Sequence, residues 1–419
     1  MHYWYKFFTY LFYPISPIYL FLRKLKKKEH STRYREKFSQ ISEIRGGGFL
    51  IWFHVASVGE AMSILPLIEN FIKEKKIEKI LITTITLSSG EILTKRFIEN
   101  KKVVHQFLPL DIPIFVNKFL KHWTPNLSIF VDSEIWPNLI SKIKEKNIPL
   151  LLINGRITKK SFSKWKFINA YSKKIFGKFD LCLASSKTSE NYLKILGAKN
   201  VKNHGNLKFT NTRSNTNKQL NANFLEKIKD RKIWCAASTH PTEESFCGMT
   251  HLNLKKKYKN ILTIIIPRHV DRTKKIIQEL SKLELKITCY SDFNEINDNT
   301  DILLIDAYGE SSKFFNIVKC VFLGGSLIKH GGQNPIEASR LGCKIFHGAN
   351  VTNFVETYEY LKSLNATKLI HTPNDLNQSL VEEFETNNQN KYELKEKINN
   401  YGLNILNNVI KDLKKYMDI

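Results

Sequence analysis

At 419 residues the chain exceeds what one ordinary hydrophobic core organises, so it reads as two domains. Its 42% hydrophobic and 25% charged residues exclude a disordered or fibrous protein. Lys+Arg 65 against Asp+Glu 39 leaves a net charge of +26; this fits nucleic acid, anionic lipid or a phosphorylated substrate, or a chain-wide bias towards Lys, Asn and Ile, and selects none of them.

The first element is apolar. Phe7 to Leu22 reads FFTYLFYPISPIYLFL without a charge, and RKLKKK follows from Arg23. As a helix, this run covers roughly 24 Å, short of a hydrocarbon core of about 30 Å. Adding Tyr3 to Tyr5, with Lys6 snorkelling, brings it near a full span, kinked at Pro14 and Pro17. Tyr and Trp among apolar residues are membrane-interface chemistry, and no small-residue cleavage site follows. Residues 1–30 are therefore expected to be a membrane anchor with its basic segment, spanning or lying in the interface, and the chain after it cytoplasmic.

From about residue 48, apolar runs alternate with amphipathic stretches. FLIWFHVA, KILITTIT, LSIFVDSE and PLLLING read as strands buried on both faces, with helices such as EAMSILPLIENFIKEKK between them. Polar, aperiodic residues 211–223 read as a linker. A second series follows, from KIWCAAS through ILTIIIP, DILLIDA, CVFLGG and KIFHGA, to a long terminal helix. The expected fold is α/β: two doubly wound Rossmann-like domains, 31–210 and 224–419, facing a cleft, with ligands beyond the carboxyl ends of the strands. Cys182, Cys235, Cys247, Cys289, Cys320 and Cys343 form no CxxC and have no zinc-finger spacing to His, which predicts structural thiols without disulfides or zinc.

The strand-to-helix loops carry the candidate chemistry. Glu60, ending HVASVGE, is either a helix-start carboxylate answering the macrodipole or a general base whose basicity the helix field lowers. Asp132 and Glu134, in VDSEIWPN, are read as two acids on one side of a strand end. Ser238, Thr239 and His240 stand at a junction where hydroxyls cap a helix or hold a phosphate. Arg268 and His269 end an apolar strand, where a buried Arg needs an anion. GGSLIKHGGQNPIE offers exposed backbone amides, then Asn334 as N-cap and Pro335 as first helical residue. It matches neither GxGxxG nor a P-loop, and no GxSxG elbow exists for a nucleophilic serine.

In chain order, HVASVGE, LPLDIP (108–113), VDSEIWPN, INGRITKKS, HGNLKF, AASTHPTEE, IPRHVDR, DAYGES, GGSLIKHGGQNPIE and HGANVTNF (347–354) together resemble the 3-deoxy-D-manno-octulosonic acid (Kdo) transferase family. The resemblance implies a GT-B glycosyltransferase moving Kdo from CMP-Kdo to a lipid A precursor at the cytoplasmic face of the inner membrane. It implies Glu60 as general base, and Asp132 and Lys208 as the residues that steady the transition state. The CMP site would comprise Arg268, His269, Tyr308, Gly309, Glu310, Asn334, Pro335, Ile336 and Glu337. Two positions depart from the family pattern: Asp132 stands where Glu is usual, and Gln333 where His is frequent. No DxD-like cluster stands in a loop, so transfer without a metal or other cofactor is expected. A membrane-tethered RNA-binding protein would need an RNP-like motif or aromatics interleaved with Lys, and neither is present, so nucleic acid is not an expected partner. The alternative kept open is another membrane-associated GT-B transferase using a different nucleotide sugar.

Overall fold

The computed structural model describes residues 2–41, 43–210, 220–386 and 389–417. They divide into two units, residues 1–211 with 402–419, and residues 212–401. The terminal helix Gln389–Lys414 begins in the second unit, while its residues from Gly402 onward belong to the first, a segment that the sequence reading kept in the second domain. Of the expected linker, 211–219 lie outside the described residues. Its last two positions are already helical: Ala222–Ile228 is a helix, and the side chain of Asn221 caps it by accepting from Asn223 N at 2.8 Å.

The first unit holds a seven-stranded sheet of β1 (Phe49–His54), β2 (Ile77–Thr84), β3 (Val103–Phe107), β4 (Leu127–Val131), β5 (Leu150–Gly155), β6 (Leu181–Ala184) and β7 (Val201–Asn203). Their order is β3-β2-β1-β4-β5-β6-β7, and every pairing is parallel. The second unit repeats the plan with β8 (Lys232–Thr239), β9 (Ile261–Pro267), β10 (Ile287–Cys289), β11 (Ile302–Leu304), β12 (Cys320–Leu323), β13 (Lys344–His347) and β14 (Thr367–Leu369). Here the order is β10-β11-β9-β8-β12-β13-β14, again parallel throughout. Burial on both faces explains the unbroken apolar runs of β1, β4, β5 and β9. Trp52, Phe119, Trp123 and Phe130 fill the first core, and its two indole N–H groups find Thr83 Oγ1 at 2.9 Å and Gln106 Oε1 at 2.7 Å. Trp234, Phe322 and Phe346 anchor the second core. All six cysteines are free; Cys182, Cys235 and Cys320 lie within strands.

The strand order reverses at β1/β4 in the first sheet and at β8/β12 in the second. In doubly wound sheets, loops diverge there and leave a crevice beyond the carboxyl ends of the strands. Both candidate sites stand at these points.

The N-terminal apolar run corrects the spanning reading. It forms two helices, α1 (His2–Phe12) and α2 (Ser16–Leu25), interrupted at Tyr13–Ile15. Pro14 and Pro17 lack the N–H groups a continuous helix needs, and each piece reaches only about 16 Å. Among the described residues no helix is long and apolar enough to cross a membrane. One side of α1 is docked: Tyr5 Oη donates to Asp111 Oδ2 at 2.9 Å, and Asn138 Nδ2 donates to Thr9 Oγ1 at 2.9 Å. Asp111 also accepts from Asn138 N and Leu139 N, capping the helix Pro137–Glu145 and tying LPLDIP to WPN. Burial pushes its carboxyl up to about 6. The outer side of the two helices leaves Trp4, Phe7, Phe8, Ile18, Phe21 and Leu22 exposed.

Candidate active site

In the first unit, β1 runs into α3 (Val58–Ile72) through His54-Val-Ala-Ser57. Ser57 is the N-cap, its Oγ accepting from Glu60 N at 3.4 Å. Glu60 Oε2 accepts from Ala56 N at 2.7 Å, and Oε1 accepts from Ser57 Oγ at 2.9 Å. The carboxylate thus serves the helix start and is also fixed in direction. Each oxygen keeps a lone pair for a further donor. Glu60 is only 9% exposed. Burial raises its pKa, helped by the charges of Asp132 and Glu134 and opposed by the bonds from Ala56 and Ser57. The sequence reading had the helix field lowering its basicity; desolvation reverses the direction.

Asp132 and Glu134 do not lie on the strand. β4 ends at Val131, and Asp132 turns into the left-handed region at φ 62°. Period-2 alternation therefore fails across these two residues. Glu134 accepts from Trp136 Nε1 at 2.9 Å and lies 3.3 Å from His54 Nε2. Asp132 is buried with Oδ2 3.9 Å from Lys208 Nζ; desolvation raises its pKa against the pull of Lys208 and Arg156. Lys208 sits in a 3-10 turn, Leu207–Thr210. Asn154, left-handed at φ 51°, accepts from Leu207 N at 2.9 Å and holds that turn beside β5. Glu60, Asp132 and Lys208, separate in the sequence, are thus gathered at the β1/β4 end of one sheet. Arg156 belongs to this group and was not singled out among the sequence candidates.

In the second unit the chief anion is Glu243, which sequence reasoning missed. It is fully buried and accepts four backbone N–H groups: His240 at 3.0 Å, Gly325 at 2.7 Å, Ser326 at 3.1 Å and Leu327 at 3.0 Å. The GGSL amides expected to be exposed for a phosphate are therefore already occupied. Gly324 must lack a side chain here, since a Cβ would meet Ser238 O at 2.5 Å and Glu243 Oε2 at 2.7 Å. Arg268 is exposed. The arginine of this loop that meets an anion in the interior is Arg272, paired with fully buried Glu244 at 2.8 Å.

The remaining candidates line the loops after β8, β9, β11 and β12. The His240 ring lies tilted 4.3 Å from that of His330 and edge-on 6.1 Å from that of His269. Burial and the neighbouring His330, His269, Arg272 and Arg268 lower its pKa to about 4, so the ring is neutral at pH 7. Gln333 Nε2 lies 3.4 Å from His240 Nε2. Tyr308 is 65% exposed, and its hydroxyl accepts from Val270 N at 3.4 Å, linking DAYGES to IPRHVDR. Gly309 takes φ 78°, and Glu310 pairs with Lys313. The helix after QNP begins at Ile336, one residue later than expected. Pro335 is its N-cap, and Asn334 Oδ1 still accepts from Ile336 N at 3.2 Å. Glu337 reaches solvent, while crowding by protein raises its pKa and Arg340 opposes the rise.

Two parallel α/β units, each with polar side chains clustered where strand order reverses, resemble the two domains of GT-B glycosyltransferases. A solved UDP-GlcNAc 2-epimerase from Neisseria meningitidis bound to UDP-GlcNAc shares this fold, with a TM-score of 0.60 at 14% identity over 88% of this chain and all of that one. Residues 32–211 match the family described as 3-deoxy-D-manno-octulosonic-acid transferase. A 3-deoxy-D-manno-octulosonic acid transferase of Rickettsia bellii is 35% identical over 83% of this chain and 82% of its own length. One from Haemophilus influenzae is 30% identical over 99% and 98%. The chain belongs to the 3-deoxy-D-manno-octulosonic acid transferase family and is a glycosyltransferase.

Proposed function

We propose that the protein moves Kdo from CMP-Kdo to a lipid A precursor in lipopolysaccharide biosynthesis, with Glu60 as general base. The observation carrying this reading is relatives of that name at 30–35% identity along most of the chain. Glu60 takes the proton of the acceptor sugar hydroxyl. The oxygen then attacks the anomeric carbon of Kdo from the face opposite the phosphate. The bond from that carbon to the phosphate oxygen breaks, and CMP leaves with the electron pair. A buried, directionally fixed carboxylate with a raised pKa suits the first step, because basicity rises with pKa. Lys208, with Asp132 beside it, supplies positive charge where negative charge develops. CMP contacts are assigned to Arg268, His269, Tyr308, Gly309, Glu310 and the Asn334–Glu337 turn. Exposure of Arg268 suits a side chain that waits for its anion in the ligand.

The protein works at the cytoplasmic face of the inner membrane, held by α1 and α2 lying in the interface. Support comes from the aromatic residues they leave exposed and from the basic run Arg23 to Lys28 that follows.

Transfer from freshly generated CMP-Kdo to a tetraacylated lipid A precursor, read by mass spectrometry, tests the reaction and counts the Kdo units added. A folded protein that turned over a UDP- or GDP-sugar instead would overturn the donor assignment. Arg268→Ala is expected to weaken CMP binding about tenfold or more, the loss of one charge-assisted contact. Calorimetry giving an unchanged affinity would remove Arg268 from the phosphate site.

A further inference from the structure

Between Arg156 and Asp180 the chain carries seven lysines, Lys159, Lys160, Lys164, Lys166, Lys173, Lys174 and Lys178, and no acidic residue. The helix Lys159–Phe167 has no buried residue, which is unusual for a crossover helix of a parallel sheet. Its inner side is nevertheless fixed. Phe162 stacks on Tyr192 at 4.0 Å, and Trp165 meets Phe176 edge-on at 5.3 Å. Lys160, Lys164 and Phe167 follow i, i+4, i+7 spacing and so share the opposite side. Phe167 closes that side and is 91% exposed.

An aromatic ring held outward beyond a lysine row has no folding role, and leaving it in water forgoes about 2 kcal/mol of burial. The neighbourhood indicates what covers it. Phe167, Ile168, Tyr171 and Lys174 line a groove of about 760 Å³ together with Tyr3 of α1. The groove therefore joins Phe167 to the exposed aromatic side of α1. Apolar rings ringed by lysine without acid match an anionic lipid surface, where each basic residue near the headgroups contributes about 1 kcal/mol.

We infer that the helix Lys159–Phe167 and the turn after it form a second lipid-binding element, Phe167 entering the headgroup–acyl boundary of an anionic bilayer beside α1 while Lys160 and Lys164 meet phosphates. Phe167 and the exposed rings of α1 then enter the bilayer as one continuous patch, which widens the footprint of the first unit on the membrane beyond α1 and α2. This inference extends the proposed interfacial role of α1 and α2 and rests on it.

The test is flotation of the full-length protein with phosphatidylcholine vesicles containing a quarter phosphatidylglycerol, and with phosphatidylcholine alone. Four proteins are compared: wild type, Phe167→Ser, Lys160→Glu with Lys164→Glu, and Trp4→Ser with Phe8→Ser. Phe167→Ser should bind both vesicles about tenfold more weakly, the loss of one ring from the interface. The double charge reversal should abolish the preference for phosphatidylglycerol. Thermal unfolding should be unchanged for both, since the altered side chains are exposed. If only Trp4→Ser with Phe8→Ser lowered binding, α1 would stand as the anchor and this inference would fail. If wild type bound neither vesicle, the interfacial reading of α1 and α2 would fail with it. A raised acceptor KM in detergent for Phe167→Ser, with unchanged flotation, would assign the groove to the acceptor's acyl chains and overturn the inference. So would RNA retention lost by the lysine variant with flotation intact.

Discussion

Glu60→Gln is expected to lower transfer by on the order of 10³-fold while leaving CMP affinity at the wild-type value, because an amide cannot take the acceptor proton. The substitution preserves shape. Gln accepts from Ala56 N through its remaining oxygen, and Ser57 Oγ rotates to accept from the new amide, so the start of α3 keeps its cap. The same variant carries a pH signature. Burial holds the Glu60 pKa above the ordinary carboxylate value of 4.5, with Asp132 and Glu134 adding to the rise. As the proposed base, Glu60 works only when ionised, so wild-type transfer should fall as pH drops through that raised pKa, from above the usual carboxylate range. In Glu60→Gln the residual rate should lose this acid limb. Rates measured across pH for both proteins decide it. An acid limb of unchanged position in the variant would assign the titration to another group, Asp132 being the first to examine.

What the sequence reveals of this protein follows the range of the interactions involved. Strands buried on both faces must be apolar along their length, so β1, β4, β5 and β9 are readable without partners. Glu60 is readable because its partners, Ala56 and Ser57, lie within four residues. Asp132 was found but wrongly placed, since nothing in the local pattern announces a left-handed turn at a residue that is not glycine. The apolar run at the N-terminus invited a spanning helix, although its length fell short without residues 3–5 and its two prolines stood in the way. Glu243 lay beyond reach of spacing arguments: three of its four donors are more than 80 residues away in the chain. Glu244 and Arg272, 28 residues apart, escaped for the same reason. Arg268 ends an apolar strand and so reads as buried, but it is exposed, and Arg272 four residues on makes the interior pair.

Glu243 is also where the largest loss of stability is expected. Glu243→Ala removes the acceptor of four amides, on His240, Gly325, Ser326 and Leu327, in a place closed to solvent. A buried donor left unpaired costs about 1–3 kcal/mol, so even with water entering the vacated space the loss should reach about 4 kcal/mol. That is a large share of the 5–15 kcal/mol typical of a folded domain. The second unit should therefore unfold more than about 10 °C below wild type. Glu243→Gln should fall between the two, since its amide offers one acceptor and sets two donors against the remaining N–H groups. The lost bonds join the loop after β8 to the loop after β12 at the reversal of strand order, so the damage is local as well as global. Hydrogen exchange should quicken first at Gly325–Leu327, and CMP affinity should drop with it, although Glu243 is buried away from any ligand. Calorimetric unfolding with peptide-resolved exchange checks both. Slow exchange at Gly325–Leu327 in Glu243→Ala, at an unchanged melting temperature, would mean that another acceptor can take these amides and that the carboxylate is dispensable to the junction.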